Sequence, residues 1–428
     1  MSLLKDLSEL VKANVITSDI AQQISDYYKN KQETSPNRQM LILGILGALL
    51  VGIGIMFIIA NQWDDLSQTT QTFISFLLLI IPQLLGAFVI IKKMDKNVWK
   101  ECAALLLFFA VGSSISLISQ IYHINGDMSS YLRTWMMLTV LLIYIFDSSA
   151  VSLAYLIGIM SYGLSVSIDS PGEPVESLFW LFLVLPLPHY FKLIRKSPDN
   201  PLLILHHWVY PFVLTLSLFA TFHTFKTLIP TAYISMFGAF YLAGNLPYFR
   251  NKSILYNGYV VFGLAGTIVT LLVMSFQPSW KAIYSSHYTF GDLISTTEFI
   301  ANSVLLLLAS ALLYLQKKGM GMKDLKLAEV TFLLFIAIFV LGNYSSIAYI
   351  FINLLVLILS AFMVIDGSKR MNMSILNAGL VIIALLAACR SFDSDIKFVV
   401  KGSMFVLVGI GFFVANWLML KKKKENES

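Results

Sequence analysis

Residues 40–60 read MLILGILGALLVGIGIMFIIA, an unbroken apolar run without a single charge. As an α-helix rising about 1.5 Å per residue, it is roughly 30 Å long, the thickness of a bilayer hydrocarbon core. A helix that is apolar on every face is either buried in a large core or crosses a membrane, and this length selects the membrane. Outward from it the pattern repeats. Further apolar stretches cover 72–91, 102–122, 132–146, 149–168, 178–193, 202–225, 229–244, 254–276, 293–315, 327–342, 344–365, 373–389 and 398–420, fourteen spans in all. The chain is 57% hydrophobic with a mean hydropathy of +0.76, above the roughly half-apolar composition of soluble domains. The expected fold is all-α: a transmembrane bundle of about fourteen helices over 39–420. A short helical hairpin over 1–38 precedes it, and a basic tail over 421–428 follows.

Loop charge tests the count. With the amino terminus in the cytoplasm, 24 of the 30 Lys and Arg fall on cytoplasmic segments. The remaining six, Arg133, Lys226, Lys281, Arg390, Lys397 and Lys401, fall on the other side. This is the positive-inside bias. Fusing the two short spans around Asp147 into one would invert everything downstream and move Lys192, Arg195, Lys196 and the Lys421–Lys424 run outside. The expected setting is a cytoplasmic membrane crossed many times, with both termini cytoplasmic. The net charge of +6 then belongs to helix ends that meet anionic headgroups, and no nucleic-acid partner is implied.

The first 39 residues are polar and amphipathic, and are not expected to form a cleavable signal peptide. Leu3, Leu4, Leu7, Leu10 and Val11 recur at helical spacing. Ser18 or Asp19 then caps a second helix carrying Ile20, Ile24, Tyr27 and Tyr28. Such a hairpin docks on the membrane surface, on the bundle or on a cytoplasmic partner. Cys102 and Cys389 are expected near opposite faces, too far apart for a disulfide.

Polar residues inside the spans need partners, because lipid offers none. Gly44, Ala48 and Gly52 form a small-residue stripe for close helix packing. Ser113, Ser116, Gln120 and His123 share one face at 100° per residue. They either bond neighbours in a packed seam or line a cavity opening to the non-cytoplasmic side. Asn61, Trp63, Asp64, Asp127, Arg133, Glu298, Arg390 and Lys401 are expected near that same side. Gln83 and Asn353, nearest mid-membrane, are expected to bond across helices. The six histidines give no pair at metal-ligand spacing on one helix face. No phosphate-binding loop, nucleophile elbow or zinc-protease signature is present. Metal, cofactor and catalytic assignments are therefore none.

Two stretches carry a likeness: GILGALLVGIGIMFIIANQW at 44–63 and SQIYHINGD at 119–127. With the opening hairpin they resemble the bacterial multi-pass membrane family catalogued as domain of unknown function 2157, over residues 1–165. That family's pattern has Asn directly before Trp, whereas Gln62 separates Asn61 from Trp63 here. The resemblance implies a bacterial membrane architecture and no assigned activity. Three functions follow as expectations. The first is transport or lipid handling through an outward-facing polar cavity, with a small molecule or lipid as substrate. The second is a non-catalytic scaffold or sensor signalling through the hairpin. The third is an intramembrane enzyme on a lipid-linked substrate, with His123 and Asp127 or Glu298 as acid and base.

Overall fold

The computed structural model describes residues 7, 11, 13, 15–34, 38–62, 66–169, 177–198, 200–220, 226–249, 252–285, 296–318, 325–345, 347–392 and 397–427. Every regular element among them is helical. In chain order these are α1 (Ser18–Thr34), α2 (Arg38–Gln62), α3 (Gln68–Lys92), α4 (Asn97–Ile121), α5 (Met128–Ile145) and α6 (Ser149–Asp169). Then come α7 (Ser177–Val184), α8 (Leu187–Lys196), α9 (Pro201–Phe219), α10 (Ile229–Gly244), α11 (Gly258–Val273) and α12 (Gln277–Ser285). The last are α13 (Thr297–Lys317), α14 (Leu327–Gly342), α15 (Ala348–Lys369), α16 (Met373–Ser391) and α17 (Phe398–Glu427).

Taking α7 and α8 as one interrupted span, nine described helices are long and apolar enough to cross a membrane, and shorter described apolar stretches lie at Ile42–Val51 in α2, Ile229–Gly244, Gly258–Val273, Leu327–Gly342 and Phe398–Val414 in α17. Each expected span meets its helix. The sixth is broken at Leu185–Pro186, where Pro186 and Pro188 remove backbone donors. Helix α12 lies in a segment that hydropathy left between spans. Its nine residues include Lys281 and two serines, too few and too polar to register. The Lys421–Lys424 tail continues α17 rather than leaving it.

Short polar residues set the helix starts. Ser67 accepts from the Thr70 N–H, Asp127 from Ser130, Asn257 from Val260, Thr296 from Phe299 and Asn372 from Ser374 and Ile375. Each satisfies an N–H that the first helical turn leaves unpaired.

The chain divides into two compact units, residues 1–169 with 176–206, and residues 170–175 with 207–428. In the first unit α4 is the central helix, packing on α2, α3, α5 and α6. A side chain at Gly44 would meet Val98 at 3.3 Å and Cys102 at 3.4 Å, so α2 turns Gly44 toward α4. Ala48 is half-buried there; the surroundings of Gly52 lie outside the described residues. Gly112 leaves room for the Trp135 ring, whose Nε1 donates to the Phe108 carbonyl at 2.9 Å. In the second unit α10 is central, with α11, α13 and α14 around it. A Cβ on Gly263 would lie 2.5 Å from the Tyr241 backbone nitrogen, so the α10–α11 crossing requires glycine. Both cysteines are free thiols.

Candidate functional site

The first unit carries polar groups at both ends of its helices. At one end, the last two turns of α4, the start of α5 and the first half of α3 enclose a cleft of about 900 Å3. Its polar wall includes Ser116, Ser119, Gln120, Asn125, Asp127 and Thr134; Phe76, Leu79, Ile115 and Ile118 supply the apolar wall. Helix α4 therefore brings both kinds of side chain to the cleft, with Ile115 and Ile118 beside Ser116, Ser119 and Gln120. Ser116 and Gln120 are exposed on this wall. Asp127, at the mouth, caps α5 by accepting the Ser130 N–H at 2.8 Å. Hydrogen bonds from the Ser130 side chain and backbone, and then from Ser129, hold the Asp127 carboxyl down at about 2. It is a fixed negative charge at neutral pH.

Two stripe residues do not line this cleft. Ser113 is buried and returns its hydroxyl to the Phe109 carbonyl at 2.9 Å. His123 lies beyond the helix, because α4 ends at Ile121. The chain there turns through a left-handed residue, His123 at φ +49°, and the Ile124 N–H closes on the Ser119 carbonyl at 2.9 Å. The helical phase that placed His123 on the stripe does not reach it. The main chain of Asn61 lies in the last turn of α2, while its side chain, Trp63 and Asp64 lie outside the described residues.

The other end of the same unit holds a buried network that sequence reasoning missed. Glu101, in the first turns of α4, is 4% exposed. It accepts the Ser148 hydroxyl, the Ser149 N–H at 3.1 Å and the Ala150 N–H at 2.9 Å. Glu101 thus occupies the amino terminus of α6, where unpaired N–H groups and the helix dipole favour an acidic group. The Ser149 hydroxyl meets His189 Nε2 at 3.2 Å, and His189 Nδ1 meets Asp147 at 3.2 Å. Lys192 closes on the same Asp147 carboxyl at 2.8 Å. One turn further along α6, Ser152 meets His206 Nε2 at 3.1 Å. Partial burial pushes the Asp147 carboxyl up, but Lys192, Lys100 and His189 together outweigh it and hold it below the usual carboxylate range. Asp147 adopts φ +47°, a conformation short acidic residues tolerate.

Ser149, His189 and Asp147 stand in the hydroxyl–imidazole–carboxylate order that activates nucleophiles in hydrolases. Their surroundings oppose that chemistry. The N–H groups that would stabilise an oxyanion already donate to Glu101, and Ser149 and His189 are both buried. The arrangement is a fastener joining α4, α6 and α8.

Glu298 and Arg390 belong to the second unit. Glu298 is buried in the first turn of α13 and accepts the Thr297 hydroxyl at 3.2 Å. One turn on, Asn302 donates to the Thr231 hydroxyl at 2.9 Å and ties α13 to α10. Arg390, near the end of α16, is buried, donates to Ser275 Oγ at 3.0 Å and lies 4.6 Å over the Phe276 ring. Asn353 bonds across helices to the Ser275 carbonyl at 2.9 Å, whereas Gln83 is exposed on α3. Among the described residues no group of three His, Cys, Asp or Glu side chains is placed to hold a metal ion. His223 and His287 lie outside them.

A family model described as predicted membrane protein (DUF2157) matches residues 8–152. The match covers about a third of the chain and agrees with the likeness carried by residues 44–63 and 119–127. It takes in Glu101, Asp147, Ser149 and the α4 and α5 walls of the cleft; His189 and Lys192 lie beyond it. The description gives a membrane protein and no activity. No curated protein and no solved structure matches the chain.

Proposed function

We propose that this chain moves or holds an amphiphilic molecule in a bacterial cytoplasmic membrane, as a transport or lipid-handling protein, through the α3–α4–α5 cleft. The observation that carries the reading is the cleft itself: about 900 Å3, lined by serines, Gln120 and Asn125 together with Phe76, Leu79 and isoleucines. Small-molecule sites have this volume and this mixture of apolar surface with a few convergent polar groups. A packed seam would bury its hydroxyls, and Ser116 and Gln120 are exposed. The 24-to-6 split of basic residues supports an orientation with the cleft on the non-cytoplasmic side and both termini inward. Asp127 at the mouth disfavours anions, so the preferred molecule is neutral or cationic at its polar end.

Native mass spectrometry of the purified protein tests this. A neutral or cationic amphiphile should co-purify with the wild type and be lost from a Ser116→Leu, Gln120→Leu double variant of unchanged melting temperature. Equal retention by the double variant overturns the reading.

A further inference from the structure

We infer that the polar end of the cleft's occupant is a neutral sugar, so that the α3–α4–α5 cleft takes a glycolipid. This deepens the reading of that cleft as an amphiphile site and rests on it. The observation is a second groove of about 400 Å3 beside the cleft, lined by Gln68, Thr69, Thr72, Phe73, Phe76 and Tyr122. Phe76 lines both, so the two adjoin. Helical spacing explains the groove. Gln68, Thr69, Thr72, Phe73 and Phe76 stand at i, i+1, i+4, i+5 and i+8 on one side of α3, and Tyr122 comes to them from the end of α4. The groove therefore lies at helix ends, at headgroup depth. Leu79, on the apolar surface of the cleft, lies about 15 Å further along α3 than Thr69. A molecule with its head in the groove can thus lay its chain down the cleft.

Three properties select a sugar for the head. First, none of the described residues lining the groove is charged, so neither a phosphate nor an ammonium finds a counter-charge in it. Asp127 belongs to the cleft and not to this groove. Second, Phe73, Phe76 and Tyr122 are exposed rings. The negative face of an aromatic ring attracts the polarised C–H groups on the flat side of a sugar. Third, the hydrogen bonds within the groove leave acceptors in excess. The Thr72 hydroxyl donates its one proton to the Gln68 carbonyl at 2.8 Å. At 3.2 Å the Tyr122 hydroxyl must then donate to Thr72, which commits its own proton and leaves its oxygen accepting. The Gln68 amide nitrogen donates to the Ile121 carbonyl at 3.4 Å, so its Oε1 is the group left to accept. Thr69 adds an exposed hydroxyl. Spare acceptors among aromatic faces call for several hydroxyl donors on a C–H ring, and a sugar has both.

The full-length protein is purified in octaethylene glycol monododecyl ether, because a sugar detergent would compete for the groove. It is titrated with glucosyl dioleoylglycerol, dioleoylglycerol, dioleoyl trimethylammonium propane and chain-free methyl glucoside. Native mass spectrometry reads occupancy. The glucosyl lipid should bind about tenfold tighter than dioleoylglycerol, as two net hydrogen bonds would give. Methyl glucoside should show no binding at the same concentration. A Thr69→Val, Tyr122→Phe double variant should bring the glucosyl lipid down to the affinity of dioleoylglycerol, with dioleoylglycerol binding and the melting temperature unchanged. Phe73→Ala touches no hydrogen bond and should weaken the glucosyl lipid alone; it serves as the second variant should the first fold poorly. The Ser116→Leu, Gln120→Leu variant should lose both uncharged lipids. Equal affinity for the glucosyl lipid and dioleoylglycerol, or a tighter hold on the cationic lipid, overturns the sugar assignment and leaves the cleft reading standing. Full retention of both uncharged lipids by the Ser116→Leu, Gln120→Leu variant overturns both. Methyl glucoside binding as tightly as the glucosyl lipid makes the groove a free-sugar site and overturns the glycolipid.

Discussion

The two ends of the first unit use the same ingredients and reach opposite results. Each sets a carboxylate and serines against the amino terminus of a helix. At the α6 end the carboxylate is Glu101, supplied by α4 from 47 to 49 residues away and buried. At the α5 end it is Asp127, the helix's own cap from three residues away, and exposed. A cap reached across the fold ties two helices together and excludes water. A local cap finishes its own helix and leaves the neighbouring groove open. The distance along the chain from which a cap arrives therefore decides whether a polar helix end becomes a fastener or a cavity mouth.

The sharpest test of this contrast is all-or-none. In a background lacking Cys102 and Cys389, cysteines at Ser116 and Gln120 should react with a membrane-impermeant thiol reagent added from the non-cytoplasmic side. Cysteines at Ser113 and Ser149 should stay unlabelled in folded protein. Protection at both 116 and 120 would make the cleft a packed seam and favour a scaffold role. Next in size is Glu101→Ala. It strands the Ser148 hydroxyl and two N–H groups in a dry site, a loss on the order of 3 kcal/mol. Thermal unfolding in detergent should show it, with Glu101→Gln recovering part. Wild-type melting of Glu101→Ala would remove the fastener from the argument.

Asp147→Asn is gentler, because asparagine also tolerates the positive φ there and only the ion pair with Lys192 and the link to His189 weaken. The sign follows from the lowered carboxyl. Its contribution is fully present above the unfolded value near 4 and disappears as pH falls through the folded one. The gap in melting temperature between wild type and Asp147→Asn should thus be open at pH 7 and close in acid. A gap that stays constant with pH would assign the effect to packing.

How much of this was legible beforehand follows the same division between local and distant. All fourteen spans were readable, because apolar run length is local information, and the caps that end them are short-range. Helix ends were less so. His123 was assigned to a helical face that stops at Ile121, and α12 was missed because nine residues containing Lys281 do not stand out by hydropathy. In the cleft, Ser116, Gln120 and Asp127 were readable from spacing on one element and the loop after it. The Glu101 network was not, since its members come from α4, the α5–α6 turn and α8. The one available signal was a lone acid in the first turns of an apolar helix, which must find donors somewhere. Gln83 shows the reverse error: it looked like a midmembrane hydrogen-bonder, yet α3 turns it outward.

The smallest expected effect is at Asp127, and it bears most directly on the comparison. Asparagine caps helices about as well as aspartate, so Asp127→Asn should keep the Ser130 bond and melt close to wild type at neutral pH. Asp127→Ala removes the cap and should cost more, but well below Glu101→Ala, since water replaces the lost acceptor at an exposed site. With its carboxyl held at about 2, Asp127 contributes fully above pH ~4 and loses that contribution as pH falls from there toward 2. Asp127→Asn should flatten that part of the acid profile, and added salt should shrink the difference, as it does for exposed charges. Asp147→Asn flattens the acid profile too, but by loosening a half-buried ion pair that salt screens less. Were Asp127→Ala to destabilise as strongly as Glu101→Ala, the cleft mouth would be fastened from a distance as well. The groove beside it would then be closed by the same physics as the α6 end.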